Sequence, residues 1–436
     1  MKIKSLILSS VAAAGLTTGA MAADLGTVLT SLDVCDSLGI SGLTISSDSN
    51  CLAISGGVKY SFKWGDYDGT WAGNVPGVFK NPDNFGVAPF TQDWASKVDA
   101  WLKFVGTADS SFGPASATIK LGYKDYYTVR NERPAIAGAS NGLSVKEAYV
   151  SVGDSTVLMA GLKSTIANFD DDKSLTWKKL FNDEVGKGTY TGVGGVGGVA
   201  LPATGGHVIQ VTSDLGNGVS VGGALEKLNT GGPNAGTAVG VLAYAGNGIT
   251  AHATILADGI LTGTIATWGL HAGMTGEFDM FKIGAALAAN SAGDWDVQGT
   301  ASATFDIFTL AAAAQTGYNA TSTLSDLGVA VSGSAEVTTG VTINAGFRWF
   351  DTDTATASAN TEGWQAAAGI TAAVTETITL EGEIGVYGNP TGSQTNAYGT
   401  ASVAWAPGGG FKSSLAGTAW QDGAYSLTFK ASKDFE

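Results

Sequence analysis

Few residues of this 436-residue chain are spaced for covalent chemistry. Gly218-Val219-Ser220-Val221-Gly222 fits the G-x-S-x-G spacing of a nucleophile elbow, which requires the serine on a sharp strand-to-helix turn. Ser220 instead follows a Gly-Asn-Gly turn within an alternating apolar and polar run, the setting of an ordinary strand serine. Gly192, Gly194 and Gly197 match the dinucleotide fingerprint without a strand–helix unit around them. His207, His252 and His271 fall on separate predicted strands and lack metal-ligand spacing. Asp351 and Asp353 could hold a divalent ion weakly, and read as part of a solvated loop. No serine, histidine and acid cluster together, so the sequence predicts no catalytic residue, no metal site and no cofactor.

The pattern that does carry chemistry is charge placed on alternate residues. From Leu52 to Trp64 the even positions are Leu52, Ile54, Gly56, Val58, Tyr60, Phe62 and Trp64. The odd positions are small or charged, Lys59 and Lys63 among them. Such period-2 alternation marks a strand with one apolar face and one wetted face. The same rule sets Lys97, Asp99 and Lys103 opposite Val98, Ala100, Leu102 and Phe104, and Lys120 and Lys124 opposite Ile119, Leu121 and Tyr123. Lys282 opposes Phe281 and Ile283, Arg348 opposes Phe347 and Trp349, and Lys412 and Lys430 join the wetted set. The expected result is a mainly basic wall in which Asp99, Glu381 and Glu383 are the acids, and walls of fixed charge select ions.

Those strands need an architecture that keeps one face apolar and the other wet. After the N-terminus no run approaches the roughly 20 apolar residues of a spanning helix. Charged residues make up only 14% of the chain, against about 25% in an ordinary globular protein, as expected where one whole face meets lipid. Aromatic residues gather at the ends of the apolar stripes, and tight turns such as Gly216-Asn217-Gly218 and Gly246-Asn247-Gly248 alternate with longer loops. A soluble β-sandwich would show the same alternation with the apolar face turned inward. The predicted fold is therefore an all-β, transmembrane, antiparallel up-and-down barrel. Its strand number is even, about sixteen, with eighteen to twenty alternating segments along the chain.

The chain opens with Lys2 and Lys4, a short apolar run through Leu16, and Ala20-Met21-Ala22, the form of a secretory signal cut after Ala22. Removing residues 1–22 leaves 21 basic residues against 38 acidic ones, a formal charge of −17. That balance excludes a phosphate-binding surface for nucleic acid. Export also makes a disulfide the expected state of Cys35 and Cys51, within a lead-in of residues 23–51 before a single barrel domain.

One segment breaks the alternation. Residues 165–205 follow a good strand, Thr156 to Lys163, yet carry no period of their own, and so long an irregular stretch in a compact domain is usually functional. It contains Asp170, Asp171, Asp172, Asp183 and Glu184. Folded into the lumen, it would narrow the bore and oppose an acidic face to the basic wall; the alternative is a large external loop.

Two patches resemble the alphaproteobacterial general porins. The first is Val34-Cys35-Asp36 followed by Cys51-Leu52-x-Ile54-Ser55-Gly56-x-Val58-x-Tyr60. The second is Glu147-Ala148-Tyr149-Val150, then Ala160-Gly161-x-x-Ser164 and Phe169-Asp170. The resemblance implies an outer-membrane channel of a Gram-negative bacterium that passes small hydrophilic solutes and ions and is embedded in lipid and lipopolysaccharide. It also implies a homotrimer of sixteen-stranded barrels, each narrowed by its third external loop, which maps onto 165–205. The chain departs from that pattern at Ser47-Asp48-Ser49-Asn50, where Pro-Gly is usual, and at Glu436, which follows the terminal aromatic Phe435. Arginine is limited to Arg130, Arg133 and Arg348. A solute-specific channel and a secreted β-rich surface protein or adhesin are the competing readings.

Overall fold

The computed structural model describes residues 34–67, 92–128, 142–178, 199–321, 323–352, 361–389 and 394–436. The expected signal, residues 1–22, lies outside the described residues, as does the start of the lead-in. Twenty-one strands follow in chain order. The first seven are β1 (Thr44–Ser46), β2 (Cys51–Asp66), β3 (Asp93–Ala108), β4 (Ala115–Thr128), β5 (Gly142–Gly153), β6 (Thr156–Lys163) and β7 (Gly206–Gly216). Next come β8 (Val219–Glu226), β9 (Thr237–Gly246), β10 (Ile249–Asp258), β11 (Trp268–Phe278), β12 (Phe281–Asn290), β13 (Trp295–Phe305) and β14 (Phe308–Asn319). The last seven are β15 (Leu324–Thr338), β16 (Val341–Thr352), β17 (Thr361–Ala373), β18 (Ile378–Asn389), β19 (Gln394–Gly408), β20 (Phe411–Trp420) and β21 (Tyr425–Phe435).

Each strand from β2 onward pairs antiparallel with its sequence neighbours, and β21 returns to β2 with Phe429 opposite Phe62. The sheet thus closes into an up-and-down barrel of twenty strands, at the top of the expected range and above the sixteen implied by the resemblance. The short β1 sits beside the start of β2, Ser46 opposite Cys51, just beyond the point where Phe435 of β21 meets Gly56. A disulfide joins Cys35 to Cys51 there.

The connections sort by end. At one end the chain turns in a few residues: Asn217-Gly218, Asn247-Gly248, Asp306-Ile307 and Thr339-Gly340. Asn217 and Gly218 adopt φ of 53° and 81°, the positive pair that a two-residue hairpin needs to follow strand twist. The longer connections lie at the other end, among them the one from β6 to β7.

Burial is inverted relative to a soluble protein. Val58, Trp64 and Ile384 are 49%, 41% and 70% exposed, whereas His271 and Gln298, on the opposite face, are 0% and 2% exposed. Apolar side chains point out from the ring and polar ones point in, so the sandwich alternative fails on its own criterion. Aromatic rings mark both rims of the apolar band. Trp64 with Tyr425, Trp295 with Tyr318, and Trp349 beside Trp364 sit toward the long loops. Phe281 with Phe305 and Trp405 with Phe411 sit toward the tight turns. Amphipathic rings favour the boundary between hydrocarbon and water, which accounts for two belts flanking an aliphatic middle.

This orientation predicts a difference between the two faces of one region. Ile384→Lys, at the middle of the outer face of β18, should cost about 2–4 kcal/mol in lipid-supported unfolding. Thr400→Lys, on the lumenal face of neighbouring β19, should cost much less. Equal costs in urea unfolding of vesicle-inserted protein would show that the outer face does not contact lipid.

Candidate functional site

The lumen carries the charged and polar groups, and the connection from β6 to β7 enters it. Residues 164–178 leave β6 and run along the inner wall, bonding to one inward side chain after another. The Ile166 N–H donates to Glu226 Oε1 on β8 at 3.0 Å, and Asn168 N–H to Thr254 Oγ1 on β10 at 3.1 Å. Farther round, Leu175 N–H donates to Thr300 Oγ1 on β13, and Trp177 N–H to Ser332 Oγ on β15, both at 2.9 Å. An irregular segment has no ladder for its own amides, so wall hydroxyls and a carboxylate satisfy them instead.

Glu226 holds both ends of the segment. Its buried carboxylate accepts from Ile166 on the outgoing arm, from Gly205 N–H on the returning arm at 2.6 Å, and from Gln210 Nε2 at 3.0 Å. Above it the two arms share a small apolar core. Ile166, Ala167, Phe169 and Leu201 pack on Ala224, Val239 and Leu256, which are apolar although they point inward. These three inward apolar residues therefore fall where the segment covers the wall.

The three aspartates have three different environments. Asp170 is exposed, and Asp172 is buried. Asp171 accepts a hydrogen bond from Thr250 Oγ1 at 2.5 Å and lies 3.2 Å from His252 Nδ1. His252 Nε2 is 2.8 Å from His271 Nδ1, the two rings stacking with centroids 5.0 Å apart, and Phe169 meets His271 edge-on. A hydrogen bond between two imidazoles needs one nitrogen to donate and the other to accept, so at least one of the facing nitrogens carries no proton. Asp183 and Glu184 lie outside the described residues.

At its far end the segment reaches β18 and β19. The Lys178 ammonium contacts Glu383, and the Tyr398 hydroxyl contacts the same Glu383 oxygen. Burial pushes the Lys178 ammonium below the usual lysine range, and Glu383 works against that shift. Glycines make the track. A Cβ on Gly273 would lie 2.8 Å from the Asp170 carbonyl oxygen, and one on Gly369 would lie 2.8 Å from the Trp177 ring.

The predicted basic residues all face inward but do not form one uniform wall. Lys59, Lys63, Lys97, Lys103, Lys120 and Lys124 gather on β2, β3 and β4, on the stretch of wall that closes onto β21. Lys97 bonds Asp99 at 2.7 Å, Lys120 lies 3.5 Å from Glu147, and Lys63 stands over the Tyr67 ring. Lys282 is apart from them, paired with Glu277 at 2.5 Å near a tight turn. Arg348 is 4% exposed, so its charge lies within the packed part of the lumen.

Several residues of the site carry no sequence signal of their own. Glu226, Thr254, Thr300 and Ser332 look like any polar residue of an alternating strand. His252 and His271 meet only because β10 and β11 are paired neighbours with Thr254 opposite His271. Lys146 joins the inner face beside Gly122 because a bulge between Lys120 and Leu121 shifts the alternation. Asp351 belongs to β16 rather than to a loop, and Asp353 lies outside the described residues. Ser220 sits within β8 as a strand residue.

No family model matches the sequence, and no curated protein matches it. Solved structures that are similar to the chain lie at very low identity. The anion-selective porin of Comamonas acidovorans is 10% identical, with 88% of this chain and 100% of that chain covered and a TM-score of 0.40. A triple mutant of Rhodopseudomonas blastica porin is 12% identical over 88% and 100%, with a TM-score of 0.41. Pseudomonas aeruginosa OccK5 is 9% identical over 88% and 98%, with a TM-score of 0.45.

Seating of the inner segment can be tested without touching the outer face. Gly273→Val drives a side chain into the Asp170 carbonyl, and Thr254→Val removes the hydroxyl that bonds Asn168 through both its N–H and its carbonyl. Each change should cost the seated state about 1–3 kcal/mol. Trypsin cleavage after Lys173 or Lys178 should accelerate by about tenfold or more while the barrel stays folded. Unchanged cleavage would mean that the wall bonds do not hold the segment.

Proposed function

We propose that this chain is an outer-membrane porin, a passive channel for small hydrophilic solutes and ions. One observation carries the reading: a closed barrel of twenty strands has an apolar exterior and a polar, charged interior that the inner segment covers only in part. Barrels of 16 to 18 strands already leave an aqueous channel, so a ring of twenty is too wide for wall side chains alone to fill. In the described residues the segment takes its bonds from β8 round to β18, and the lysine-bearing stretch on β2–β4 stays accessible.

Transport by this device needs no reacting group. Width is set by residues 164–178 and 199–205, which makes the 165–205 connection the constriction element. The fixed charges around it supply the field. The outer membrane of a Gram-negative bacterium, with its lipid and lipopolysaccharide, is the setting that an apolar barrel exterior and a secretory signal call for together. The resemblance of the Cys35 to Tyr60 region to alphaproteobacterial general porins adds assembly as a homotrimer to this reading.

Detergent-extracted protein added to a planar bilayer should open stepwise, ohmic channels, in groups of three if trimers insert as units. Gly273→Val should change the single-channel conductance by displacing the constriction element. Folded protein that inserts yet passes no current would defeat the channel reading.

A further inference from the structure

The wall carries an uneven charge distribution that open diffusion does not require. We propose that the lysine sector spanning β20, β21, β2, β3 and β4 is a recognition site for multivalent oxyanions, so that the channel prefers anions and binds phosphate-like solutes saturably. This rests on the channel reading and names its solute class.

Strand register places these groups together. One cross-barrel row runs Lys412, Ser432, Lys59, Asp99, Lys124, each directly opposite the next on the adjacent strand. The neighbouring row runs Ser414, Lys430, Ser61, Lys97. Adjacent strands are about 4.8 Å apart, so one solute on this surface is within reach of several flexible ammonium groups. Lys59, Lys412, Lys430, Ser414, Ser432 and Asp99 border one cavity of ≈430 Å³.

Five lysines in these two rows face a single acid, Asp99, which Lys97 already neutralises. Among the described residues, Lys59, Lys124, Lys412 and Lys430 make no ion pair. The nearby inward acids are Asp434 beside Gly57, Glu381 on β18 near Ser402, and Glu147, held by Lys120. None of them enters the two rows.

The donor set selects the ligand. Ammonium groups only donate, and serine hydroxyls can donate as well, so the complementary partner is an acceptor-only group carrying negative charge. Phosphate, sulfate and polycarboxylate groups fit that description. A cation is repelled, and a neutral sugar leaves the ammonium charges uncompensated. Preference should rise with ligand charge, because Coulomb attraction to each lysine scales with it.

The test uses the full-length protein in planar bilayers. A potassium chloride gradient should give a reversal potential of the sign for anion preference. Inorganic phosphate near pH 7.5 should then reduce the chloride current saturably, at concentrations about tenfold below those at which acetate does. K59Q, K412Q and K430Q combined should abolish the phosphate block and bring the permeability ratio toward one, while K227Q, on the connection between β8 and β9 and outside the sector, should leave both unchanged. Each single substitution, expected to weaken the block several-fold, serves if the combined variant fails to insert. Conducting channels with cation preference, with no phosphate block, or with a block that survives in the variants would overturn this proposal and leave the channel standing. An inserted protein with no conductance would instead overturn the channel reading beneath it.

Discussion

The pairing of β21 with β2 is the constraint from which the rest of this structure follows. An open sheet of this size would present two rows of unpaired amides and carbonyls, a cost that grows severe wherever water is absent. Closing the ring through Phe62 and Phe429 satisfies them and removes the edge. Closure also decides the sense of burial, because a ring of twenty strands has too much interior to fill with apolar side chains. The apolar residues must then point outward, and the water-loving ones are left to line the bore.

A wide bore creates a second requirement, since an irregular segment inside it has backbone groups that no ladder satisfies. The wall answers with single side chains at intervals: Glu226, Thr254, Thr300 and Ser332. Glu226 has a particular role because one carboxylate receives both arms of the connection. It behaves like the drawn neck of a loop, fixing where the segment leaves the wall and where it rejoins it. The apolar residues Leu256 and Val239 would be out of place facing water, and they occur where Phe169 and Leu201 cover them. Wall and segment thus depend on each other: the wall supplies acceptors, and the segment removes from water the wall residues that water would not suit.

How much of this could be read from sequence follows from the range of each interaction. Alternation is local, so the strands, their outward and inward faces, the tight turns and the wetted position of Lys59 to Lys124 were all legible residue by residue. Alternation assigns Arg348 to the wetted face as well, yet its burial is a tertiary property that no periodicity encodes. The aspartates make the point again. As a run, Asp170-Asp171-Asp172 reads as one acidic face, but the backbone turns at Asp171, where φ is 63°, and the three side chains part. Asp170 ends exposed, Asp171 on Thr250 and His252, and Asp172 buried. Lys146 was lost for a local reason, because one bulged residue inverts the face of all that follow until the register is restored.

The charge of the whole chain and the charge of the bore are separate quantities, and the structure shows why. The formal charge of −15 is spread over loops, turns and wall together, whereas the inward lysines are concentrated on one run of adjoining strands. At physiological salt a surface charge is screened over about 8 Å, so acids beyond that distance contribute little to the potential at the lysine rows. Within the bore, water is confined between walls of lower dielectric and the field of nearby charges is focused rather than dispersed. Acids that share the lumen are further discounted where they are already neutralised, as Asp99 is by Lys97 and Glu383 by Lys178. A solute therefore meets the sign of the nearest uncompensated groups. Along the two lysine rows of β2, β3, β4, β20 and β21 those groups are ammoniums, in a protein whose sum is strongly acidic.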